Sequence, residues 1–593
     1  MLLDTDQSHR WLERAVRGWR GTVLLTILCL AVYLPGLSGI PPIDRDESRF
    51  AQASRQMLES LTLPESERVP GFHDGGLAVP KIQSLPRLNK PPLIYWLQSL
   101  SAATFTAGDS SRDALWMYRL PSVACSIIAV LLTRWLGTRL FDELTSVLGA
   151  AVLAVCPMLV WDAHQARADQ LLLACTTSAI AALWSIRARP PAGGPTSWLL
   201  AAWLWVSIAL GVLAKGPITP LVVALTALCH SSVARDWRWL KRTKPLLGAA
   251  LLIVFIAPWL IAVARAVGTD VLWTTIVSET LGRSAVAREG HFGPPGYHTI
   301  FLAVLLWPGS LLTLGAFIRT WKLAVRLPPP EPGLTRRRRW RTLPARWRQR
   351  VLGRERELFL ICWITPSWLF FELLMTKLPH YTMPIYPALA LIGAAAIVDA
   401  ARARIDTSSG ERALRGLNLW FGIGVALCCI TPIGLSLLGG GPLAIGLAAI
   451  VAVACFFLLR RARQEAFEGL LLRAQILGIA ASVLFLVGAL GIILPRASVV
   501  FVFPRAASAL PTDRPVACAR HFEDSVVFLT RGRIEIIDRI NIRKWLASHR
   551  DGTIIVTRRD SAGELDLHRI DTFAGFNYAN GQFVTLDLVE SAR

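Results

Sequence analysis

The chain has 593 residues, 53% of them hydrophobic and only 18% charged, with a mean hydropathy of +0.45. A soluble protein of this length splits into several domains and carries more surface charge, so the composition points to a polytopic membrane protein. The net charge of +22 lies in stretches between apolar runs, the pattern left by Lys and Arg retained on the cytoplasmic side; no nucleic-acid partner is expected.

The first twenty residues, MLLDTDQSHRWLERAVRGWR, are too long and too acidic for the n-region of a signal peptide, and no A-x-A-like site follows. The apolar run after them reads as a retained first helix. On a criterion of ~20 apolar residues per crossing, about thirteen spans are expected. They lie near 21–38, 117–137, 143–161, 170–187, 197–214, 217–233, 246–267, 299–319, 358–376, 382–400, 417–438, 441–459 and 474–494. The ten cysteines fall mainly within these runs at no metal-type or disulfide spacing, and read as small core residues.

With the N-terminus cytoplasmic, the inner loops collect RARPP, RDWRWLKRTK, Arg336 to Arg339, RARIDTSSGERALR and RRARQEAFEGLLLR. Inversion would move nearly all of these arginines outside, against the bias that sets topology. The basic 320–357 loop is then a topology determinant against anionic lipid rather than a nucleic-acid patch. An odd number of spans leaves the C-terminus outside. The expected division is a membrane domain over 1–496, with a first outer loop at 39–116, and an extracytoplasmic α/β domain over 497–593. In the latter, DSVVFLT, RIEIID, GTIIVTR and QFVTLDL read as strands and INIRKWLASH as a helix.

Ionisable residues gather on the expected outer side. Asp44, Arg45, Asp46, Glu47 and Arg49 follow the first span, and Arg87 to Trp96 (RLNKPPLIYW) come later in that loop. His164 to Gln170 (HQARADQ), Lys215, the stretch SETLGRSAVAREGHFGPPGYH and the stretch Lys377–His380–Tyr381 complete the set. Charges at membrane depth are costly, and the default reading is functional. From Phe50, apolar residues recur at Ala53, Met57 and Leu61, which predicts an amphipathic helix lying in the interface, with Asp46 and Arg49 on one face at its start. Cations from distant parts of the chain, Lys90, Arg283 and Lys377, suggest one shared anion where water meets lipid, such as a phosphate on a long isoprenoid chain.

The series DRDESRFAQ, NKPPLIYW, ARADQLLL, LAKGP, ETLGR…HFGPPGYH and KLPHYTMPIYPALAL, in order over roughly 40–390, resembles the polyprenyl-phosphate-sugar glycosyltransferases of the C-type membrane fold (GT-C). The branch it resembles is the aminoarabinose transferase (ArnT-like) one, related to the protein O-mannosyltransferases. The resemblance implies an all-α bundle of about thirteen membrane helices with a small outer α/β domain, in the bacterial inner membrane. It implies an inverting transfer of a sugar from undecaprenyl phosphate to lipid A, another envelope glycolipid or a protein, by a monomer among membrane lipids. Asp46 matches the family's candidate catalytic carboxylate and Asp169 its second acid. Arg49, Lys90, Arg283 and, by position, Lys377 and Tyr381 match groups around the lipid phosphate; Glu47, Asn89 and Glu279 are candidate donor or acceptor contacts.

Two departures bear on metal. Asn89 replaces the family's Glu before Lys-Pro-Pro, and Ser278 and Thr280 flank Glu279 where a His is expected. A neutral amide with a hydroxyl makes a poor zinc site, so no bound divalent metal is expected. Each assignment has a plainer counterpart. Asp46 could cap the loop helix, Asp169 could merely pair with Arg167 or Arg283, Lys90 could snorkel and Tyr381 could anchor at the interface. Arg119 is expected to pair within the bundle, and His73, His164, His291 and His298 to be unrelated. A transporter or flippase is the competing class, one that often shows internal repeats and midplane charges.

Overall fold

Each of the thirteen apolar segments contains helix, but their lengths differ from the simple expectation. The structure, a computed structural model, describes residues 11–43, 46–189, 197–278, 293–325, 327, 342–403, 411–519, 523–561, 567–578 and 581–591. Asp44, Arg45, Glu279, Arg283, His291 and Arg336 to Arg339 lie outside the described residues. Among the described residues, eight helices are long and apolar enough to cross a bilayer, and nine if a bent pair counts as one span. Trp19–Tyr33 and Ile218–Ala234 are apolar but shorter. The segment expected at 299–319 is divided into Tyr297–Leu305, a 3-10 turn at Gly309–Leu312 and Thr313–Val325.

The bent pair, Glu143–Ala154 and Pro157–Ala163, meets at 58°. Pro157 has no N–H to continue the helical ladder, so the chain turns there. The carbonyls freed at the break find other donors: the Tyr33 hydroxyl donates to Ala154 O at 3.0 Å and Ser482 to Val155 O at 2.9 Å. The turn carries Asp162 and the His164–Ala168 loop to the end of the bundle where the first loop lies.

That loop is built on the helix Asp46–Thr62, which begins with two acids, Asp46 and Glu47, favourable at a helix N-terminus. Phe50, Ala53 and Met57 are buried and Leu61 is exposed, but Ala51, Gln52, Ser54, Arg55 and Leu58 are buried too. The helix is therefore enclosed on nearly all sides instead of floating in the interface with one wet face. The reason is that the C-terminal unit sits on it. Arg55 donates to Phe528 O at 2.6 Å, with its guanidinium over the Phe528 ring, and pairs with buried Asp113 at 2.7 Å. Arg531 reaches the same Asp113 at 3.0 Å, and Gln83 Nε2 donates to Gly532 O and Ile534 O at 2.9 and 2.6 Å.

The C-terminal unit is α/β. After a short hairpin in the first loop, β1 (Lys81–Ile82) and β2 (Leu85–Pro86), its strands are β3 (Val516–Ala519), β4 (Glu535–Ile537), β5 (Thr553–Thr557), β6 (Leu567–Asn577) and β7 (Gln582–Ser591). They form a sheet in the order β4-β3-β5-β7-β6, parallel between β4, β3 and β5 and antiparallel from β5 through β7 to β6. Every residue of β3 and β5 is buried, because helices cover both faces of the parallel part. DSVVFLT, expected as a strand, is the helix Asp524–Leu529. Short apolar runs do not distinguish the two states, and burial of Ser525 through Phe528 against neighbouring helices decides it.

One ion pair ties these parts together. Glu47 and Arg119 are both fully buried, joined at 2.8 Å (Nε to Oε1) and 2.9 Å (Nη2 to Oε2). Arg119 also donates to the carbonyls of Leu37, Ile40 and Pro41, so its five N–H groups all have acceptors. Glu47 accepts further bonds from Ile43 N at 2.7 Å and Ala166 N at 2.9 Å. Removing one partner of such a pair strands a buried charge and costs about 3–5 kcal/mol. Arg119→Leu should accordingly lower the thermal unfolding midpoint of the detergent-solubilised protein by several degrees or abolish its folded yield, while Arg139→Leu, at a surface arginine, should leave both near wild type.

Candidate active site

Beside the Glu47 lock, Asp46 takes the opposite role. Its side chain is 45% exposed, and Arg87 Nη2 and Arg167 Nη2 approach its oxygens at 3.4 and 3.7 Å. Arg87 is itself fixed: Nε donates to the Tyr95 hydroxyl at 3.1 Å and the guanidinium lies over the Phe50 ring. Burial pushes the Asp46 carboxyl up, but Arg167, Arg87, Lys90 and Lys215 outweigh it and hold the group well below the usual carboxylate range. Lys90, half-buried ahead of the helix Leu93–Thr106, thus belongs to the same electrostatic cluster.

Asp169 opens the helix Asp169–Arg187 and is buried. It is paired with Lys215, with Arg167 Nη2 at 3.5 Å and with His380 Nε2 at 3.6 Å. Those partners surround it, so Asp169 fixes Lys215 and Arg167 more readily than it could touch a substrate. Tyr381 stands next to the group: its ring centroid lies 5.9 Å from Lys215 Nζ and 5.2 Å from the His380 ring.

Arg167, which the sequence offered only as a partner for Asp169, is the hub. It faces Asp46, Asp169 and Asp162, the last at 3.4 Å, and donates to Gln165 Oε1 at 3.2 Å. Its Nε has no hydrogen-bond acceptor among the described residues, nor does either oxygen of fully buried Asp162 have a hydrogen-bond donor. A guanidinium drawn toward three carboxylates, gripped tightly by none, can accept an anion without first breaking a strong pair. Arg167 stood in view within ARADQ, as did Arg87 in RLNKPP. Nothing local distinguishes them from topology-setting arginines.

Two expected contacts, Glu47 and Lys377, are placed elsewhere, and Arg49 is held by a partner from the C-terminal unit. Glu47 is saturated by Arg119 and two backbone N–H groups, leaving it nothing to offer a donor or acceptor. Lys377 is buried, with Nζ donating to Gly293 O at 3.0 Å and Leu374 O at 2.8 Å. A Cβ at Gly293 would come within 2.9 Å of Lys377 Cδ, so this lysine clasps a backbone segment instead of facing a phosphate. Arg49 pairs with Asp524 of the C-terminal unit at 2.8 Å. Asn89 is exposed, and Glu279 and Arg283 lie outside the described residues.

The family-type metal does not fit the described side chains. Ser278 donates to Thr275 O, Asn89 is neutral, and no group of three or more His, Cys, Asp or Glu residues among the described residues could hold a metal ion. His73 lies 3.1 Å from Glu59, His164 bridges Val160 O and Pro35 O, and His298 lies against Glu372 and Leu378 O, each in a separate place.

Residues 89–261 match the dolichyl-phosphate-mannose-protein mannosyltransferase family. An undecaprenyl phosphate-alpha-4-amino-4-deoxy-L-arabinose arabinosyl transferase of Sodalis glossinidius is 28% identical over 440 residues, covering 72% of this chain and 66% of the relative. The transferase of that name in Pseudomonas aeruginosa strain LESB58 is 28% identical over 409 residues, 69% of this chain and 64% of the relative. The chain thus spans about two thirds or less of the length of these curated relatives. Among solved structures, ArnT from Cupriavidus metallidurans bound to undecaprenyl phosphate superposes with a TM-score of 0.70 at 17% identity, covering 95% of this chain and 97% of ArnT. The apo form of the same protein gives 0.67, so the ArnT-like GT-C fold expected from the motifs is the fold observed.

With a carboxyl pKa below its unfolded value, Asp46 contributes fully to stability above the ordinary carboxylate range and loses that contribution only as pH falls toward the lowered value. Any rate or binding profile controlled by Asp46 in the ligand-free protein should therefore stay flat from neutrality down to about pH 5. An acid limb at about pH 6 in binding to the ligand-free protein, lost in Asp46→Asn, would contradict this placement.

Proposed function

We propose that this chain, a polytopic membrane protein with the ArnT-like fold of the C-type glycosyltransferases, moves a sugar from a polyprenyl phosphate to an extracytoplasmic acceptor. The donor is undecaprenyl phosphate-linked, and the acceptor is lipid A or another envelope glycolipid. The observation that carries this reading is the half-exposed Asp46 carboxylate ringed by Arg87, Lys90, Arg167 and Lys215. A lipid-linked phosphate needs several cations for its head, and a sugar on that phosphate would sit against the carboxylate. Charge at the arginine-rich loops supports a cytoplasmic N-terminus, which turns this end of the bundle and the C-terminal unit outward, in a bacterial inner membrane. The chain acts as a monomer.

In the reaction, an acceptor oxygen forms its bond to the anomeric carbon as the bond from that carbon to the lipid phosphate oxygen breaks, inverting the centre. The electron pair leaves with the phosphate, whose growing charge Arg87, Lys90, Arg167 and Lys215 stabilise; loss of one such donor costs about 3 kcal/mol of barrier. Tyr381, half-buried beside Lys215, lines the same space. Arg283 and Glu279, carried over from the family pattern, are assigned to this site as a further phosphate contact and a donor or acceptor contact. Asp46 as it stands is too acidic for an efficient base at neutral pH. A bound phosphate works against that: its negative charge partly offsets the surrounding cations and raises the Asp46 carboxyl. With a hydroxyl acceptor, Asp46 then takes the proton; with a phosphate acceptor, no proton need be removed and Asp46 orients the reactants.

The test is turnover by the purified full-length protein of a radiolabelled polyprenyl-phosphate sugar with lipid A, glycolipid and protein acceptors. Asp46→Asn should lower the rate by about 10²–10⁴ with a hydroxyl acceptor, and Lys90→Ala and Arg167→Ala should each lower it by about a hundredfold or more. Transfer to protein alone would reassign the acceptor. Solute flux that needs no lipid-linked sugar, with no transfer, would identify a transporter and overturn the reading.

A further inference from the structure

We infer that the C-terminal α/β unit completes the anion site, with Asp524 acting as a positioning residue for Arg49. The inference rests on the proposed phosphate-binding role of the Asp46 cluster. Arg49 lies three residues after Asp46, close to one turn along the same helix. Its Nε is paired with Asp524 Oδ2 at 2.8 Å, and the two side chains are 32% and 12% exposed. Neither Nη group of Arg49 donates a hydrogen bond to any described residue, so Asp524 holds the guanidinium while leaving donors for a ligand. Asp524 also belongs electrostatically to the site: it and Asp46 both act on Arg87, and Asp46 and Asp524 act on one another.

Other contacts fix where Asp524 stands. Gln83 binds Gly532 O and Ile534 O, Arg55 binds Phe528 O, Arg531 binds Asp113, and the Tyr578 hydroxyl donates to Pro42 O, four residues before Asp46. The unit is thus docked by bonds that do not involve Asp524. A single carboxylate, presented by an already docked unit to an arginine one turn from the candidate catalytic acid, is spare to the docking and suited to aiming Arg49. Through it the C-terminal unit reaches the chemistry.

The experiment is a titration of the full-length protein in nanodiscs with undecaprenyl phosphate, which requires neither the sugar nor the acceptor. Asp524→Asn should weaken binding about tenfold, the scale of losing one hydrogen bond to a charged group, and Asp524→Glu should recover most of it. In an Arg49→Ala background, Asp524→Asn should change nothing further. The inference is overturned if Asp524→Asn binds like wild type while Arg49→Ala is weakened, or if Asp524→Asn weakens binding equally with and without Arg49. If Lys90→Ala and Arg167→Ala also leave binding untouched, the proposed function itself fails, and the positioning role with it.

Discussion

The buried Glu47–Arg119 pair is the constraint on which the rest of the site depends. It joins the end of the first membrane segment, through the carbonyls of Leu37, Ile40 and Pro41, to the helix Leu115–Leu140 and to the His164–Ala168 loop through Ala166 N. Two ions withdrawn from water at a membrane surface are expensive, and attraction alone does not offset the desolvation. Complete hydrogen bonding makes the arrangement tolerable, and it tolerates only one geometry. Because Glu47 and Asp46 are consecutive on a helix, anchoring the first turns the second about 100° away, toward the cluster of cations. Ala166 is likewise anchored, and Arg167 comes directly after it.

This division explains how adjacent acids come to do different work. Glu47 has every lone pair committed and stays out of the chemistry. Asp46 is half-exposed, weakly contacted and surrounded by positive charge it cannot neutralise alone. Asp169 is intermediate: it is ionically paired on several sides and keeps Lys215, Arg167 and His380 near one another. The cluster therefore keeps several cations within reach of one exposed carboxylate, an arrangement suited to one further anion. On the proposed reading, arrival of a lipid-linked phosphate would also raise the Asp46 carboxyl, coupling occupancy of that position to the basicity of the acid beside it.

Much of this is legible in the order of residues alone. Runs of apolar residues locate the helices, and ionisable residues next to them mark Asp46, Lys90, Asp169 and Tyr381, because charge at membrane depth is too costly to be incidental. What pattern does not show is orientation. Asp46 and Glu47 look equivalent in DRDES, and only packing separates the lock from the exposed acid. Lys377 carries the same charge as Lys90, yet two carbonyls and the close approach of Gly293 claim it. That Arg49 is held by Asp524 is hidden as well, because Asp524 lies in a segment that reads as a strand and folds as a helix. The expected interfacial helix is enclosed because the C-terminal unit rests on it, a long-range fact with no trace in local spacing. Thirteen uniform spans is too simple because proline and glycine break two of them, at Pro157 and at Pro308–Gly309, into shorter pieces.

On the proposed reading, this charged cluster grips the phosphate of a polyprenyl lipid. Photo-crosslinking places that contact most directly: a polyprenyl phosphate analogue with a photoreactive group beside its phosphate is activated in membranes containing the protein, and the labelled peptides are sequenced. Labels within 46–62, 87–96 and 162–170, competed away by unlabelled undecaprenyl phosphate, are the predicted result. Labels confined to the arginine-rich loops at the opposite end of the bundle, or insensitive to competition, would contradict it.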